Sequence, residues 1–201
     1  MFLSKVQLSQ SFQRSPYELH RQLWRLFPQQ PDTQRDFLFR VEGVLPSCGL
    51  IILLQSTREP ERENVLSSKP FAPVLPIGLR LRFRLRANPV RTIHDKEHGR
   101  LRQKGRRAGK LKQCRVPLLK EEQQYDWLQR KFANVAHINN VLIQQEAPLY
   151  FRKGHVQGKV QTVLFDGSLT VSDESAFIAL LRSGIGPAKA FGCGLLSVAP
   201  V

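Results

Sequence analysis

The sequence is poor in cysteine, and it has no hydrophobic stretch as long as a membrane span. Its 201 residues include three cysteines, Cys48, Cys114 and Cys193, which lie far apart and form no CxxC pair. This odd, scattered set argues against a disulfide framework, and the five histidines show no zinc-type spacing with it. No basic segment followed by an apolar core opens the chain. We therefore expect reduced thiols and a cytoplasmic location.

Two phosphate-binding motifs and one metal-binding pattern are also missing. GxxxxGK[ST] does not occur, and segment 184–189 (GIGPAK) has Lys189 where the third glycine of GxGxxG would stand. That segment also follows a predicted helix, whereas the dinucleotide-binding motif follows a strand. The sixteen acidic residues are scattered, with no carboxylate grouping near a glycine-rich or basic segment. We therefore expect no nucleotide cofactor and no catalytic metal.

Negative charge is scarce, because 31 lysines and arginines stand against 16 aspartates and glutamates. The net charge is +15 and the pI is near 10.5. Such an excess indicates an anionic partner, most commonly nucleic acid, with a membrane surface as the alternative. Hydrophobic residues make up 41% of the chain, which is enough to build packed cores. The composition therefore favours a folded protein that binds nucleic acid.

The best-marked element is a helix that begins at Ser15. Serine, proline and Glu18 form a capping box there, and the helix is expected to end near Phe27. The expected buried stripe of this helix is Leu19, Leu23, Leu26 and Phe27. Further helices are predicted at 121–136 and from Ser172 or Asp173 to Arg182.

The predicted strands, taken together with the helices, give an order of elements that is repeated along the chain. Strands are predicted at 2–10, 36–42, 49–55, 79–86, 141–152, 159–171 and 195–199. Residues 58–68 are ambiguous between a poor helix and a loop, and prolines punctuate 69–77. The order is β-α-β-β-(?)-β, then β-α-β-β-α-β. We predict an α+β protein of two tandem ferredoxin-like (RRM-like, βαββαβ) domains, at 1–77 and 78–201.

Three segments of the second predicted domain are strongly basic. Residues 79–86 (LRLRFRLR) alternate apolar and arginine side chains, so one strand face is expected to carry four guanidinium groups. A solvated strand face is the alternative, but no matching acidic strand is visible, which favours anion binding. A loop at 92–115 and a link at 152–159 are also basic. The residues expected to bind RNA in these segments are Arg80, Arg82, Arg84, Arg86, Arg106, Arg107, Lys112, Arg115, Arg152, Lys153 and Lys159.

The glycine-rich segment 184–194 near the end of the chain is a candidate phosphate site. Glycines let backbone N–H groups approach a ligand closely, and Pro187 suits the first turn of a short helix with a positive N-terminal end. A helix stop followed by a flexible turn is the alternative. The residues predicted to contact phosphate here are Gly184, Gly186, Lys189, Gly192 and Gly194.

RNA can be cleaved without a metal if a base takes the proton of a 2′-OH and an acid protonates the leaving 5′-oxygen. Histidine suits either role, because its reference pKa lies near ~6.5. His20 is the candidate, since it lies on the capped helix at the border of the buried stripe, with Tyr17 one turn before it. The alternative for His20 is a packed core histidine. His94 and His98, in the basic loop, are rivals for the same role.

Eight segments follow one another along the whole chain: MFLSKV, YELHRQLWRLFP, RDFLF, FRLRANPVRT, CRVPLLK, WLQRKF, GKVQTV and GIGPAKAFGCGLLSVAP. In sequence and order they resemble the CasE family, the repeat-processing endoribonuclease subunits of the CRISPR Cascade complex. The resemblance implies tandem ferredoxin-like domains with a C-terminal glycine-rich loop. It also implies that His20 and Tyr17 are the catalytic pair, and that Arg152, Lys153 and Lys159 belong to a basic hairpin that grips an RNA stem.

The activity implied by this resemblance is metal-independent cleavage of precursor CRISPR RNA at the base of the repeat hairpin. The 2′-OH attacks the adjacent phosphate and gives a 2′,3′-cyclic phosphate and a 5′-OH. The enzyme then stays bound to the mature crRNA beside the other Cascade subunits. Two alternatives remain at this point: a non-catalytic scaffold that binds an RNA hairpin, and a ribosomal or general RNA-associated protein.

Overall fold

A computed structural model describes residues 1–9, 11, 16–27, 36–45, 49–61, 63–94, 113–153 and 156–201. Their helices are α1 (Pro16–Trp24), α2 (Glu121–Phe132) and α3 (Glu174–Ser183). Their strands are β1 (Phe2–Leu8), β2 (Phe37–Leu45), β3 (Gly49–Ser56), β4 (Val65–Pro70), β5 (Arg80–Ala87), β6 (Val90–His94), β7 (Gln113–Pro117), β8 (Ala136–Gln145), β9 (Leu149–Lys153), β10 (Val156–Val160), β11 (Val163–Val171) and β12 (Leu196–Pro200). Over these residues, no helix is long and apolar enough to cross a membrane.

Strands β1 to β4 form an antiparallel sheet in the order β2-β3-β1-β4. Helix α1 covers one face of this sheet, and its buried side chains join those of β1, β2 and β3 in one hydrophobic cluster. The predicted stripe of Leu19, Leu23, Leu26 and Phe27 is confirmed, since all four are buried. The first sheet therefore gains its core from one helix and one sheet face.

Helix α1 ends at Trp24, three residues before the expected end at Phe27. The N–H groups of Leu26 and Phe27 donate to carbonyl oxygens three residues back, at 3.2 and 3.0 Å. This tighter closure keeps both side chains in the core after the α-helix has ended. Ser15, the predicted N-cap, lies outside the described residues.

The fourth strand of the first sheet runs through the segment whose structure was ambiguous in the sequence. Residues 65–70 pair with β1, and the described residues of 57–64 contain no helix. Most side chains of β4 are exposed, so the strand lacks the apolar alternation by which a strand is predicted. Its place is set by main-chain hydrogen bonds to β1.

A second antiparallel sheet has the order β12-β5-β11-β8, with α2 and α3 packed on one face around a second hydrophobic cluster. The alternation of β5 is confirmed: Leu81, Phe83 and Leu85 are buried, while Arg80 and Arg82 are exposed. The chain order β5-α2-β8-β11-α3-β12 in this sheet is the ferredoxin-like βαββαβ arrangement. The first sheet has the same strand order, so the α+β prediction is confirmed.

Two hairpins are inserted into this second unit. Strands β6 and β7 lie within the connection from β5 to α2, and β9 and β10 lie between β8 and β11. The predicted continuous strands 141–152 and 159–171 are wrong at their inner ends, because β9 and β10 pair with each other while β8 pairs with β11. Periodicity does not distinguish one long strand from two short ones. Of the predicted basic loop, Arg106, Arg107 and Lys112 lie outside the described residues.

The N-terminus of α3 is capped as predicted, by Asp173. Its Oδ1 accepts a hydrogen bond from the N–H of Ala176 at 2.9 Å. This bond, followed by one from the hydroxyl of Ser175, lowers the pKa of Asp173 from its ordinary value. The helix ends at Gly184, whose φ of 72° an L-residue rarely adopts.

The guanidinium group of Arg40, on β2, joins the first sheet to the second. Its Nη1 donates to the carbonyl oxygens of Arg84 and Leu195 at 3.0 and 3.3 Å. Its Nη2 donates to Ser197 Oγ at 2.8 Å, and Glu42 accepts from Nε and Nη2 at 2.9 and 2.7 Å. Burial lowers the pKa of Arg40 from its ordinary value, and the Glu42 carboxylate opposes this shift. The buried guanidinium group thus makes five hydrogen bonds, as many as it has N–H donors.

We expect Arg40→Met to lower the free energy of unfolding by about 2 kcal/mol, because the carbonyls of Arg84 and Leu195 lose a buried donor. The control is Arg21→Met, since Arg21 bonds Glu18 on the surface at 3.0 Å and its loss is expected to cost less than about 0.5 kcal/mol. Urea unfolding of both variants measures the difference. Equal losses would show that Arg40 does not join the sheets energetically.

Candidate nucleic-acid interface

Helix α1 carries both predicted catalytic residues on its first two turns. Tyr17 is 38% exposed, whereas His20 is half-buried. The imidazole lies among three aromatic rings, with centroid distances of 5.7 Å to Phe37, 6.2 Å to Trp24 and 6.4 Å to Phe39. The His20 Nε2 atom is buried. The ring is therefore at the border of the core, as expected, and its orientation is held by aromatic packing.

The glycine-rich segment does not form the short helix that was expected to begin at Pro187. It contains only a three-residue 3₁₀ turn, Lys189–Phe191, which is too short to present a helix N-terminus or a substantial dipole. Ala188, just before this turn, has a left-handed backbone with φ 61°. Gly184, Gly186, Gly192 and Gly194 also have positive φ values, between 72° and 91°. These positive φ values let the backbone change direction sharply within the segment.

Three glycine N–H groups are engaged inside the protein, which removes the main argument for a phosphate cradle. Gly184 donates to Leu180, Gly192 to Lys189 and Gly194 to Arg86, at 2.8, 3.3 and 2.7 Å. Close packing accounts for the missing side chains: a Cβ at Gly184 would lie 2.7 Å from Leu38 Cδ1, and one at Gly192 would lie 3.2 Å from the Phe39 ring. These are contacts with the first sheet. The internal hydrogen bonds weaken the argument for a phosphate contact at these N–H groups, which stays a prediction.

Gly186 and Lys189, the other predicted phosphate contacts, also face the protein. A Cβ at Gly186 would lie 2.9 Å from the ring of Trp127 on α2. The Lys189 ammonium donates to the carbonyl oxygen of Ser183, the last residue of α3. A cation at the C-terminus of a helix satisfies a carbonyl that has no partner within the helix. In this structure, Lys189 therefore caps α3.

The four arginines of β5 fall into two classes, which corrects the expectation that none has an acidic neighbour. Arg84 bonds Asp166 at 2.7 Å, and this hydrogen bond raises the pKa of Arg84. Arg86 is largely buried and bonds Glu146 at 2.6 Å. Arg80 and Arg82 form no ion pair with any other described residue. The acidic partners are Asp166 on β11 and Glu146 just after β8, and both are distant from β5 in sequence.

The basic hairpin β9–β10 presents charged side chains on one face. Arg152 and Lys159 are exposed, and Lys159 Nζ lies 6.0 Å from the ring of Tyr150, its cross-strand neighbour. Phe151 has the opposite orientation, and its ring contacts that of Phe191 at a centroid distance of 4.7 Å. Lys153 ends β9, and its side chain lies outside what the structure describes. The hairpin thus combines two cations with an exposed aromatic ring.

The structure brings α1, the 3₁₀ turn and β9 together, since α1 contacts both of the other elements and β2 contacts the turn. Arg115, on β7, is exposed, and within the described ranges β7 makes its main contacts with β6. Tyr150, Phe151 and Phe191 also lie in this region and were not among the residues predicted from the sequence. Alternation in LYFRK was the available signal, because it places Tyr150 and Arg152 on one face.

In the portion of the chain that is described, no three His, Cys, Asp or Glu side chains are grouped to hold a metal ion. Burial raises the pKa of Cys193 to about 12, so its thiol stays protonated at neutral pH. The candidate site therefore consists of α1, the glycine-rich segment and the basic strands.

Comparison with known proteins identifies the family of this chain. A family profile described as "CRISPR associated protein" matches residues 1–200. The chain belongs to this CRISPR-associated family. The Cascade subunit CasE of Escherichia coli K12 is 47% identical over 204 residues, covering all of both chains. The resemblance to CasE that the sequence indicates is therefore confirmed.

Cse3 of Thermus thermophilus is similar to this CRISPR-associated chain in both sequence and structure. The CRISPR-associated endoribonuclease Cse3 of this organism is 36% identical over 210 residues, covering 92% of this chain and 90% of the relative. A structure of Thermus thermophilus Cse3 bound to an RNA that represents a pre-cleavage complex has a TM-score of 0.77 at 32% identity. It covers 99% of this chain and 98% of the other. The fold is thus shared over the whole length.

We expect Gly194→Ala to destabilise the protein more than Gly78→Ala. Both positions have positive φ, 91° and 86°, so both variants carry backbone strain of about 1 kcal/mol. Only at Gly194 would the new Cβ overlap other atoms, 2.8 Å from the carbonyl oxygen of Ile185, whereas Gly78 has open space. Thermal unfolding without RNA measures both. Identical melting temperatures would contradict a packing role for the segment.

Proposed function

We propose that this chain is a metal-independent endoribonuclease that cleaves precursor CRISPR RNA at the base of the repeat hairpin. The 2′-OH attacks the adjacent phosphate and gives a 2′,3′-cyclic phosphate and a 5′-OH. The protein then retains the mature crRNA within Cascade. The observation that carries this proposal is the contact of α1, which bears Tyr17 and His20, with the basic hairpin of a chain 47% identical to CasE.

In the proposed reaction, the His20 imidazole transfers a proton to or from a ribose oxygen. Its fixed ring orientation suits this role, because proton transfer needs a donor or acceptor held within hydrogen-bond distance. Nε2 is buried, so the reaction requires either Nδ1 as the working atom or a rotation of the ring when RNA binds. The exposed Tyr17 hydroxyl, one turn away, is proposed to contact the scissile phosphate or to orient His20.

Binding of the RNA stem is proposed to use the exposed cations. Arg80, Arg82, Arg152 and Lys159 are exposed, and A-form RNA is recognised mainly by its backbone and shape. Arg115 and the cations outside the described side chains (Arg106, Arg107, Lys112 and Lys153) remain proposed contacts. Arg84 and Arg86 keep only a secondary role, since their carboxylate partners must be displaced before they can bind phosphate.

The domain limits and the cellular location also remain proposals. A division at residues 77 and 78 is supported by the two separate hydrophobic clusters, although Leu75 packs with the second one. The cytoplasm is the proposed location, because precursor transcripts are available there and the thiols are expected to be reduced.

A non-catalytic scaffold is the second candidate, and the burial of His20 Nε2 favours it. A histidine packed among aromatic rings is more often a structural residue than a catalytic one. Such a scaffold would bind the repeat hairpin through the same cations, and it would leave the RNA intact. The experiment on His20 separates the two candidates.

We expect His20→Ala to abolish cleavage of a repeat hairpin in EDTA while RNA affinity changes by less than about threefold. The control is His137→Ala, which removes an exposed histidine from β8 and is expected to cleave like wild type. Cleavage is measured by gel analysis of end-labelled RNA, and affinity with RNA deoxygenated at the scissile ribose. Intact RNA with the wild-type protein, with or without Mg²⁺, would favour the scaffold.

We expect the double variant Arg80→Ala, Arg82→Ala to bind RNA more weakly and with a shallower salt dependence. Each lost phosphate contact should reduce the slope of log affinity against log salt by roughly 0.7 to 0.9. The control replaces Arg130 and Arg182, which are exposed on the helices that cover the opposite face. Fluorescence anisotropy across a salt series measures the slopes. A larger change in the control would place the RNA on the helical face.

A further inference from the structure

Two adjacent residues of the glycine-rich segment each contact an aromatic ring, one in the basic hairpin and one in the first sheet. On one side, the ring of Phe191 packs against Phe151 of the basic hairpin, with centroids 4.7 Å apart and an interplanar angle of 40°. On the other, Gly192 lies so close to Phe39 of the first sheet that a Cβ would stand 3.2 Å from its ring. Residues 191 and 192 therefore lie between the hairpin and the first sheet.

Phe151, which contacts Phe191, is itself closely packed within the hairpin. Phe151 lies opposite Gly158 in the β9–β10 register, and its ring covers this glycine so closely that a Cβ there would overlap it. The Phe151 ring thus contacts Gly158 within the hairpin and Phe191 outside it. Tyr150 and Arg152 alternate with Phe151 along β9, so they point to the opposite face, which Lys159 shares.

In the first sheet, Phe39 lies next to both the glycine-rich segment and His20, the candidate catalytic residue. Phe39 packs against Gly192 and also lies 6.4 Å, centroid to centroid, from the ring of His20. Helix α1 contacts the 3₁₀ turn as well. The glycine-rich segment therefore touches both the basic hairpin and the surroundings of His20, beside the direct contact between α1 and β9.

We propose that Phe191 is a positioning residue, which holds the hairpin that carries Arg152 and Lys159 at a fixed place relative to His20. This inference rests on the proposed function. Phe191 needs no contact with the RNA for this role. It acts through Phe151, by fixing where an RNA stem held on the opposite face of the hairpin enters the site.

The test is a double-mutant cycle on RNA affinity, measured with a repeat hairpin deoxygenated at the scissile ribose. One variant is Phe191→Ala, and the other removes the hairpin cations by Arg152→Ala and Lys159→Ala together. We expect Phe191→Ala to weaken binding by about two- to tenfold in the wild-type background, in line with the loss of an aromatic pair. In the background without the hairpin cations, we expect it to have almost no further effect.

Two variants control for general loss of packing. Phe191→Tyr keeps the ring and is expected to bind like wild type, while Phe71→Ala removes a half-buried ring from the segment between the sheets and is expected to leave affinity unchanged. Gly158→Ala displaces the Phe151 ring from the hairpin side. It is expected to reproduce the effect of Phe191→Ala, with the same dependence on the hairpin cations, even if Phe191→Ala itself folds poorly.

The outcomes separate this inference from the proposed function. Additive effects of Phe191→Ala and of the cation removal, or an equal loss in Phe71→Ala, would overturn the positioning role even if the wild type cleaves RNA. If the wild type fails to cleave RNA but the cycle is non-additive, the positioning role stands as a feature of RNA binding and the proposed cleavage is wrong. Non-additivity together with cleavage supports both.

Discussion

The close approach of the glycine-rich segment to the first sheet is the constraint on which the site depends. Gly184 and Gly192 lack the Cβ atoms that would collide with Leu38 and Phe39, and positive φ values let the chain reverse within a few residues. Because protein interiors are close-packed, one added carbon at such a contact must displace a neighbour. This packing holds α1, β2 and β9 around a single short turn. The same glycines in a looser environment would indicate only a flexible loop.

Buried polar bonds reinforce this packing between the two sheets. Arg40 donates to main-chain carbonyls of the second sheet, and Gln55 Nε2 donates to the carbonyl oxygen of Leu181 at 2.7 Å. Such bonds are directional, and leaving their acceptors unpaired in a buried position is costly, so they select one relative placement of the sheets. The position of the second sheet against the first is therefore fixed by directional hydrogen bonds as well as by apolar contacts.

The chain has a net charge of +15, and its described cations differ in burial and in their contacts. Arg40, Arg84 and Arg86 have carboxylate partners, and Lys189 serves a helix end. Arg80, Arg82, Arg152 and Lys159 remain exposed on strands. Since long-range attraction depends on total charge but contact depends on exposure, the second set is the better candidate for binding a nucleic-acid backbone. His20 is likewise defined by its neighbours, because three aromatic rings fix the imidazole beside this surface.

Elements whose signals are local could be predicted from the residues alone. A stripe with helical spacing predicted the buried side of α1, and period-two alternation predicted β5. A serine and an aspartate before a helical run predicted that one of the two caps α3. The order of these elements predicted the ferredoxin-like sheets, and the segments shared with CasE indicated the family. The place of β4, the pairing of Arg84 and Arg86, the role of the glycines and the meeting of Phe151 with Phe191 emerged only from the folded chain. These features depend on residues that are far apart in the chain. Sheet register and core packing bring them together, and the local sequence pattern does not indicate such contacts.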